Sequence, residues 1–262
     1  MSWFIIVVLI AWSLAMSVFP ELYGELAPTT YWLMGVVGAV GLFACVLLHE
    51  LGHALVARRF DVPMSGITLF IFGGVAEMRS EPPHARAEIL VALGGPAVTA
   101  ALAGMFGLAG LLPMPTAVGG VIAYLLLLNV VLFVFNAIPA FPLDGGRVLR
   151  GILWHMTGSL RRATATSSRI GSGFGALLIV LAVLQLLTGN FVGAIWWFVL
   201  GMFLRNAAQM GHQQVLVRDV LKGEPVRRFM TADPITVSPD TTIDELVDRY
   251  IYEHHFKLFP VT

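Results

Sequence analysis

Six apolar runs constrain this chain more than any other feature, because each is long enough, or nearly so, to cross a lipid bilayer. A transmembrane helix needs about 20 apolar residues. The runs cover residues 3–19, 31–57, 87–112, 118–138, 173–187 and 191–204. Hydrophobic residues make up 57% of the chain and charged residues only 12%, about half the charged share of an average soluble domain. The sequence therefore predicts an all-α polytopic membrane protein with about six transmembrane helices, the last two short enough to require tilt or a thin bilayer.

The basic residues predict the orientation of these helices. All 16 Lys and Arg residues follow the second run, lie between the fourth and fifth, or follow the sixth. The positive-inside rule makes that side the cytoplasm of a cell membrane, with both termini cytoplasmic. The first run lacks a basic n-region, so we expect it to be a retained helix and not a signal peptide. The net charge of zero argues against a nucleic-acid partner.

Three interruptions break the helical pattern. Residues 61–80 are short, β-branched and punctuated by glycine, which predicts a membrane-associated β-hairpin or re-entrant ribbon. Gly94-Gly95-Pro96 is expected to interrupt the third run. Prolines and glycines around Asp144 should unwind the chain after the fourth run. Broken backbone at membrane depth is tolerated only where it is buried in protein or lines a wet cavity.

A His-Glu-x-x-His pattern, His49-Glu50-Leu51-Gly52-His53, lies inside the second apolar run. Positions four apart on a helix are separated by about 40° in rotation and about 6 Å along the axis. His49 and His53 can therefore bind one metal ion while Glu50 reaches a water molecule. Polar groups in a membrane helix are costly unless they face a polar interior and have a function. The alternative is three polar side chains that are satisfied within the helix bundle.

A catalytic zinc site needs three protein ligands and an open position. Asp144 is the strongest candidate for the third ligand, because its broken loop can present a carboxylate inward and lies at the predicted depth of His53. Glu77 and Glu88 are weaker candidates, since both are expected at a solvated interfacial position. The alternative for Asp144 is an ordinary turn residue.

Asn129 and Asn136 share one face of the fourth helix. Amides inside a span commonly form hydrogen bonds between helices; the functional alternative is binding of the substrate backbone or of the oxyanion. Cys45, the single cysteine, lies one helical turn before His49. We expect it to pack as a small residue, with a metal-binding or redox role as the alternative.

At this point the chain resembles the site-2 protease family of intramembrane zinc metalloproteases. The resemblance covers residues 3–205 and is carried by His49-Glu50-Leu51-Gly52-His53 together with Asn136-Ala137-Ile138-Pro139-Ala140-Phe141-Pro142-Leu143-Asp144-Gly145-Gly146, and by Phe72-Gly73-Gly74 and Gly94-Gly95-Pro96 between them. It implies that His49, His53 and Asp144 bind one zinc ion and that Glu50 activates water. Gly73 and Gly74 are added to the asparagines as candidate substrate-binding or oxyanion residues. Many relatives carry asparagine where this chain has Thr99, so Thr99 is assigned no substrate role.

The composition turns soluble after about residue 217. The pattern from Phe229 to Val237 resembles the first part of a CBS domain, a small α/β fold. The predicted organisation is a transmembrane metalloprotease domain over residues 1–210, a linker over 211–225 and a partial CBS domain over 226–262. Complete CBS domains imply adenine-nucleotide binding, and their pairing favours a homodimer.

The function implied by the resemblance is hydrolysis of peptide bonds in or near transmembrane segments of membrane-tethered regulatory proteins. The distribution of Lys and Arg places the active site near the cytoplasmic side. Two other classes remain open from the residues themselves. One is a membrane-anchored zinc peptidase with its active site in a hydrophilic domain. The other is a CBS-regulated transporter or a metal-binding membrane protein, since intramembrane histidines and acids also suit an ion path.

Overall fold

The computed structural model describes residues 2–70, 73–78, 81–221, 223–256 and 258–262. The chain forms two compact units, Met1–Leu216 and Val217–Thr262. The helices are α1 (Ser2–Ser13), continued by a π-helical turn (Leu14–Val18) and α2 (Phe19–Leu22), then α3 (Pro28–Arg58), α4 (Ala85–Ala109), α5 (Thr116–Ala137), α6 (Asp144–Thr157), α7 (Leu160–Leu187), α8 (Phe191–Leu221), α9 (Ile243–Glu245) and α10 (Tyr252–His254).

Six helical segments are long and apolar enough to cross a membrane. They cover Phe4–Leu22, Pro28–Arg58, Ala85–Ala109, Thr116–Ala137, Leu160–Leu187 and Phe191–Val217. Only 22–33% of each apolar window is buried inside the protein, so most of these apolar side chains face outward, as lipid-facing surfaces require. The prediction of a mostly helical polytopic membrane protein with six spans is confirmed.

Three helices differ from what the apolar runs indicated. Helix α4 is continuous through Pro96, so the expected interruption of the third run at Gly94-Gly95-Pro96 is wrong; spans tolerate proline when neighbouring groups replace the lost hydrogen bond. Helices α7 and α8 have 28 and 31 residues, so the fifth and sixth spans are not short. Their polar ends continue the helix where hydropathy alone ends it, and α8 runs into the segment predicted as a linker.

The break after the fourth span is present. Helix α5 ends at Ala137 and α6 begins at Asp144, and Pro139 and Pro142 between them have no N–H to donate to a helix. Asp144 is thus the first residue of a new helix, where a carboxylate interacts favourably with the helix dipole.

Two short strands lie between α3 and α4. β1 (Met64–Phe70) and β2 (Gly73–Met78) pair antiparallel, with Ile67 opposite Ala76 and Leu69 opposite Gly74. The residues that join them, 71–72, and the pair 79–80 lie outside the described residues, Phe72 among them. Nothing in the described part of the chain places this pair at a membrane, so the membrane-associated hairpin stays a prediction.

Helices α3 and α4 approach each other closely at two glycines. A Cβ on Gly52 would lie 2.5 Å from the carbonyl oxygen of Gly94, and a Cβ on Gly94 would lie 2.6 Å from the carbonyl oxygen of Gly52. Small residues permit such close packing between membrane helices, where no hydrophobic force draws them together. This crossing brings the backbone of α4 against the turn of α3 that carries His49 and His53.

The second unit is small. A parallel bridge joins Val237 to Val261, and a continuous run of helical turns over residues 243–254 connects them. Thr242 caps this run by accepting a hydrogen bond from the backbone N–H of Glu245, which satisfies one of the free donors at a helix start.

Candidate active site

Three of the predicted residues converge at one point. Nε2 of His49 lies 3.2 Å from Oδ2 of Asp144, and Nε2 of His53 lies 3.3 Å from Oδ1 of Asp144. The two Nε2 atoms are 3.2 Å apart. All three residues are buried, with exposed fractions of 4%, 5% and 8% for His49, His53 and Asp144. This group could hold a metal ion.

The second nitrogen of each imidazole is held by α4. Nδ1 of His53 lies 2.7 Å from the carbonyl oxygen of Val91, which can only accept a hydrogen bond. Nδ1 of His49 lies 2.8 Å from Oγ1 of Thr99, and that hydroxyl donates its own hydrogen to the carbonyl of Gly95 at 3.2 Å. Both Nδ1 atoms therefore carry the proton, and both Nε2 atoms present a lone pair. The Gly95 N–H also points at Nδ1 of His53 at 3.3 Å, but the shorter contact with a carbonyl decides the tautomer.

These tautomers test whether the three residues fit a zinc ion. Two lone pairs and a carboxylate at 3.2–3.3 Å repel one another unless a positive centre lies among them. Ligand atoms at about 2.0–2.1 Å from a tetrahedral zinc ion are about 3.3–3.4 Å apart, which matches the observed separations. Hydrogen bonding of the second imidazole nitrogen to protein is the usual arrangement for metal-bound histidine. The donor set therefore fits zinc.

Gly95 leaves the space that such an ion needs. A Cβ built on Gly95 would collide with Nε2 of His53 and lie 2.6 Å from Nε2 of His49. Any side chain at this position would fill the region toward which both lone pairs point. The Gly-Gly-Pro pattern of α4 therefore serves the site, with Gly94 at the helix crossing and Gly95 under the metal position.

The charge of Asp144 suits the same role. A cation bound nearby favours the ionised form of an aspartate, and both oxygens of Asp144 lie within 3.3 Å of an Nε2 atom that has a free lone pair. In its ionised form this carboxylate can bind a metal ion.

Glu50 lies beside His49 on the buried side of α3 and is only 8% exposed. It is not one of the three converging residues. An acid beside a metal site and outside its ligand set can act as a general base, and that role stays a prediction for Glu50.

The other predicted residues are placed differently. Asn129 is buried, donates from Nδ2 to the carbonyl of Leu125 at 2.8 Å and approaches Sγ of Cys45 at 3.3 Å, so it packs α5 against α3. Asn136 is partly exposed. The strand β2 begins with Gly73 and Gly74. Substrate or oxyanion roles for these four residues stay predictions.

Two residues have a place that sequence reasoning missed. Thr99 was left without a role, yet it holds His49; a hydroxyl one helical turn after Gly95 was the available signal. Glu88 was expected at a solvated interface, and that expectation is wrong, because its exposed fraction is 0% and it is paired with Arg150 of α6. The side chain of Glu77 lies in β2, outside the part of the structure in which side chains are described.

Comparisons with known proteins agree with this chemistry. The family model described as "Peptidase family M50" matches residues 37–117 and 113–181. These ranges include His49, Glu50, His53 and Asp144. The family model described as "CBS domain" matches residues 226–262.

Two relatives carry names that describe a zinc metalloprotease. Rip3 of Mycobacterium tuberculosis is 35% identical over 99% of this chain and 67% of its own length. The protein sll0528 of Synechocystis is 33% identical over 95% of this chain and 66% of its own length. The chain thus spans about two thirds of the length of these relatives.

A solved structure shares the fold. The site-2 protease from Methanocaldococcus jannaschii superposes with a TM-score of 0.52 and 24% sequence identity, covering 79% of this chain and 88% of that one. At this identity the match shows a shared fold and no more.

The Gly95→Ala variant tests the space around the metal position. Because the added methyl group would collide with Nε2 of His53, we expect purified Gly95→Ala protein to retain its helical content and lose at least about 90% of the zinc, in line with losses for disturbed metal sites. The matched control is Gly104→Ala, since no atom lies within 4 Å of a Cβ there. Elemental analysis of both proteins is the measurement, and full zinc occupancy in Gly95→Ala would contradict the assignment.

Proposed function

This chain belongs to peptidase family M50 and is a zinc metalloprotease of the site-2 type, and we propose that it hydrolyses peptide bonds in or near the transmembrane segments of membrane-tethered regulatory proteins. One observation carries the proposal: His49, His53 and Asp144 meet within 3.3 Å of one another, and the two histidines lie inside a helix apolar enough to span a membrane. A protease whose ligands lie on such a helix acts on peptide bonds that reach membrane depth.

We propose His49, His53 and Asp144 as the three zinc ligands. A zinc ion at this position would supply a Lewis acid that polarises the scissile carbonyl and makes water more acidic. The chain holds the two imidazoles through Val91 and Thr99, so their lone pairs need no reorientation when the metal binds.

We propose Glu50 as the general base. Its carboxylate takes a proton from the attacking water as the water oxygen bonds to the carbonyl carbon. It then delivers that proton to the amide nitrogen as the carbon–nitrogen bond breaks. This leaves a new carboxyl group on one fragment, an amine on the other and Glu50 unchanged.

The Glu50→Gln variant separates this reading from the alternative of a transporter or metal-binding protein. We expect the variant to retain one zinc ion per chain and to lose at least about 100-fold in turnover of a single-span substrate in detergent, since general-base catalysis contributes about 10²–10⁴-fold. Glu25→Gln, at an exposed loop position, should cleave like the wild type. Equal turnover by Glu50→Gln and wild type would show that Glu50 is not the base.

We also propose that β1 and β2 offer a strand edge to the substrate. A transmembrane helix must unwind before its peptide bonds can be hydrolysed, and an extended peptide can add to the edge of a strand pair. Gly73 and Gly74 belong to that pair.

The Ile67→Pro variant tests this edge, because proline removes a backbone donor from β1. We expect cleavage of a single-span substrate to slow by about 10-fold or more, whereas Ile67→Ala, which keeps the N–H, should act like the wild type. A substrate that is already extended should be affected less. Unchanged cleavage by Ile67→Pro would rule the strand edge out.

Orientation and regulation are further proposals. The distribution of Lys and Arg supports cytoplasmic termini and an active site near the cytoplasmic side, which protease protection of the tail in sealed vesicles would test. We also propose a division into a membrane domain over 1–210, a linker over 211–225 and a CBS segment over 226–262, of which the CBS match supports the third part. We propose that such segments bind adenine nucleotides and favour a homodimer in the full-length protein; calorimetric titration with ATP and light scattering would test both.

A further inference from the structure

A buried ion pair joins α4 to α6, the helix that begins with Asp144. Arg150 of α6 donates to Oε1 of Glu88 of α4 from Nε at 3.1 Å and from Nη2 at 2.6 Å. Nη2 also donates to Oε2 of Glu81 at 3.0 Å. Arg147 adds a further contact to Oε1 of Glu88, at 3.3 Å from its Nε.

This pair is removed from solvent and packed on two sides. Glu88 has no exposed surface and Arg150 is 4% exposed. The guanidinium carbon of Arg150 lies 5.3 Å from the centre of the Phe141 ring, which is a cation–π distance. Phe141 belongs to the broken segment just before Asp144. Arg150 therefore contacts α4 on one side and the Asp144 loop on the other.

Helix α6 also packs closely against α4 beside this ion pair. A Cβ on Gly151 would lie 2.5 Å from Cγ1 of Ile89 and 3.4 Å from Cγ of Glu88, so α6 lies directly on the first turns of α4. Gly151 is seven residues after Asp144 and so shares its helix face. The face that presents Asp144 to the histidines is the one pressed against α4 beside Glu88.

We propose that Glu88 and Arg150 are positioning residues that set the carboxylate of Asp144 at the distance its zinc-binding role requires. Helix α4 already holds His49 and His53 through Thr99 and Val91. The ion pair holds α6, which carries the third ligand, against α4. All three ligands are therefore positioned by contacts with one helix. The inference rests on the proposed function, in which these three residues bind zinc.

The chemistry of the ion pair favours a role in positioning Asp144 over a role in stabilising the fold. A buried ion pair often stabilises a fold no better than apolar residues of similar size, because desolvating both charges offsets their attraction. Two nitrogens of Arg150, in contrast, converge on the single oxygen Oε1 of Glu88, which fixes direction as well as distance. The one nitrogen of a lysine cannot reproduce that contact. The Arg150→Lys variant keeps the charge and loses the two-nitrogen contact with Glu88, so it tests geometry with little change in burial.

The experiment measures zinc affinity by chelator competition in wild type, Arg150→Lys, Glu88→Gln, Asp144→Asn and the double variant Arg150→Lys/Asp144→Asn. We expect Arg150→Lys and Glu88→Gln each to raise the zinc Kd about 10–100-fold, as found when groups that orient metal ligands are changed. On the Asp144→Asn background, Arg150→Lys should cause no further rise, because Arg150 acts through Asp144. The matched control, Arg249→Lys, alters an exposed pair with Glu245 and should leave the Kd unchanged.

A spectroscopic measurement accompanies the affinities. With cobalt in place of zinc, Arg150→Lys should shift the visible absorption bands toward those of Asp144→Asn, which a loss of fold stability alone would not do. An unchanged Kd in both single variants, or an equal rise with and without Asp144, would overturn the inference while leaving the zinc site in place. Wild-type protein that binds no zinc would instead contradict the proposed function, and the inference with it.

Discussion

Two imidazoles and a carboxylate from distant parts of the chain must face one another inside an apolar bundle, and the rest of the membrane unit is arranged around that requirement. Moving such groups out of water costs several kcal/mol for each charge that is not compensated. Each buried polar atom of the site therefore needs a hydrogen-bond partner or an opposite charge. The three side chains meet one another at contact distances of 3.2–3.3 Å, and their tautomers support the proposal that a positive centre lies among them.

Helix α4 provides the common reference for these ligands although it contributes none of them. Its glycines allow α3 to approach within backbone contact, and Val91 and Thr99 then reach the two histidines. Its first turn carries Glu88, which holds α6 through Arg150. The carboxylate and the histidines are thus placed by bonds to one rigid element, which is how metal sites keep their geometry.

The sequence predicted the features that depend on local spacing or on scarce chemistry. His49, Glu50 and His53 lie within five consecutive residues of a single helix, so their spacing alone placed the two imidazoles together on successive turns. Asp144 was found because acids at membrane depth are few and its loop is broken.

What the sequence could not predict depends on pairing across the fold. Glu88 looked like an interfacial acid because its partner, Arg150, lies on another helix. Thr99 and Gly95 acquire their roles only once α3 and α4 cross at Gly52. The ends of α7 and α8 were missed because hydropathy marks the apolar part of a helix and not its hydrogen-bonded length.

The most direct test of the account is X-ray absorption at the zinc edge of the purified wild-type protein. We expect one zinc ion per chain surrounded only by nitrogen and oxygen at about 2.0–2.1 Å, with multiple scattering from two imidazoles. A sulfur neighbour at about 2.3 Å, such as the thiolate of Cys45, the single cysteine, would contradict this assignment. A ligand shell with no imidazole would also contradict it.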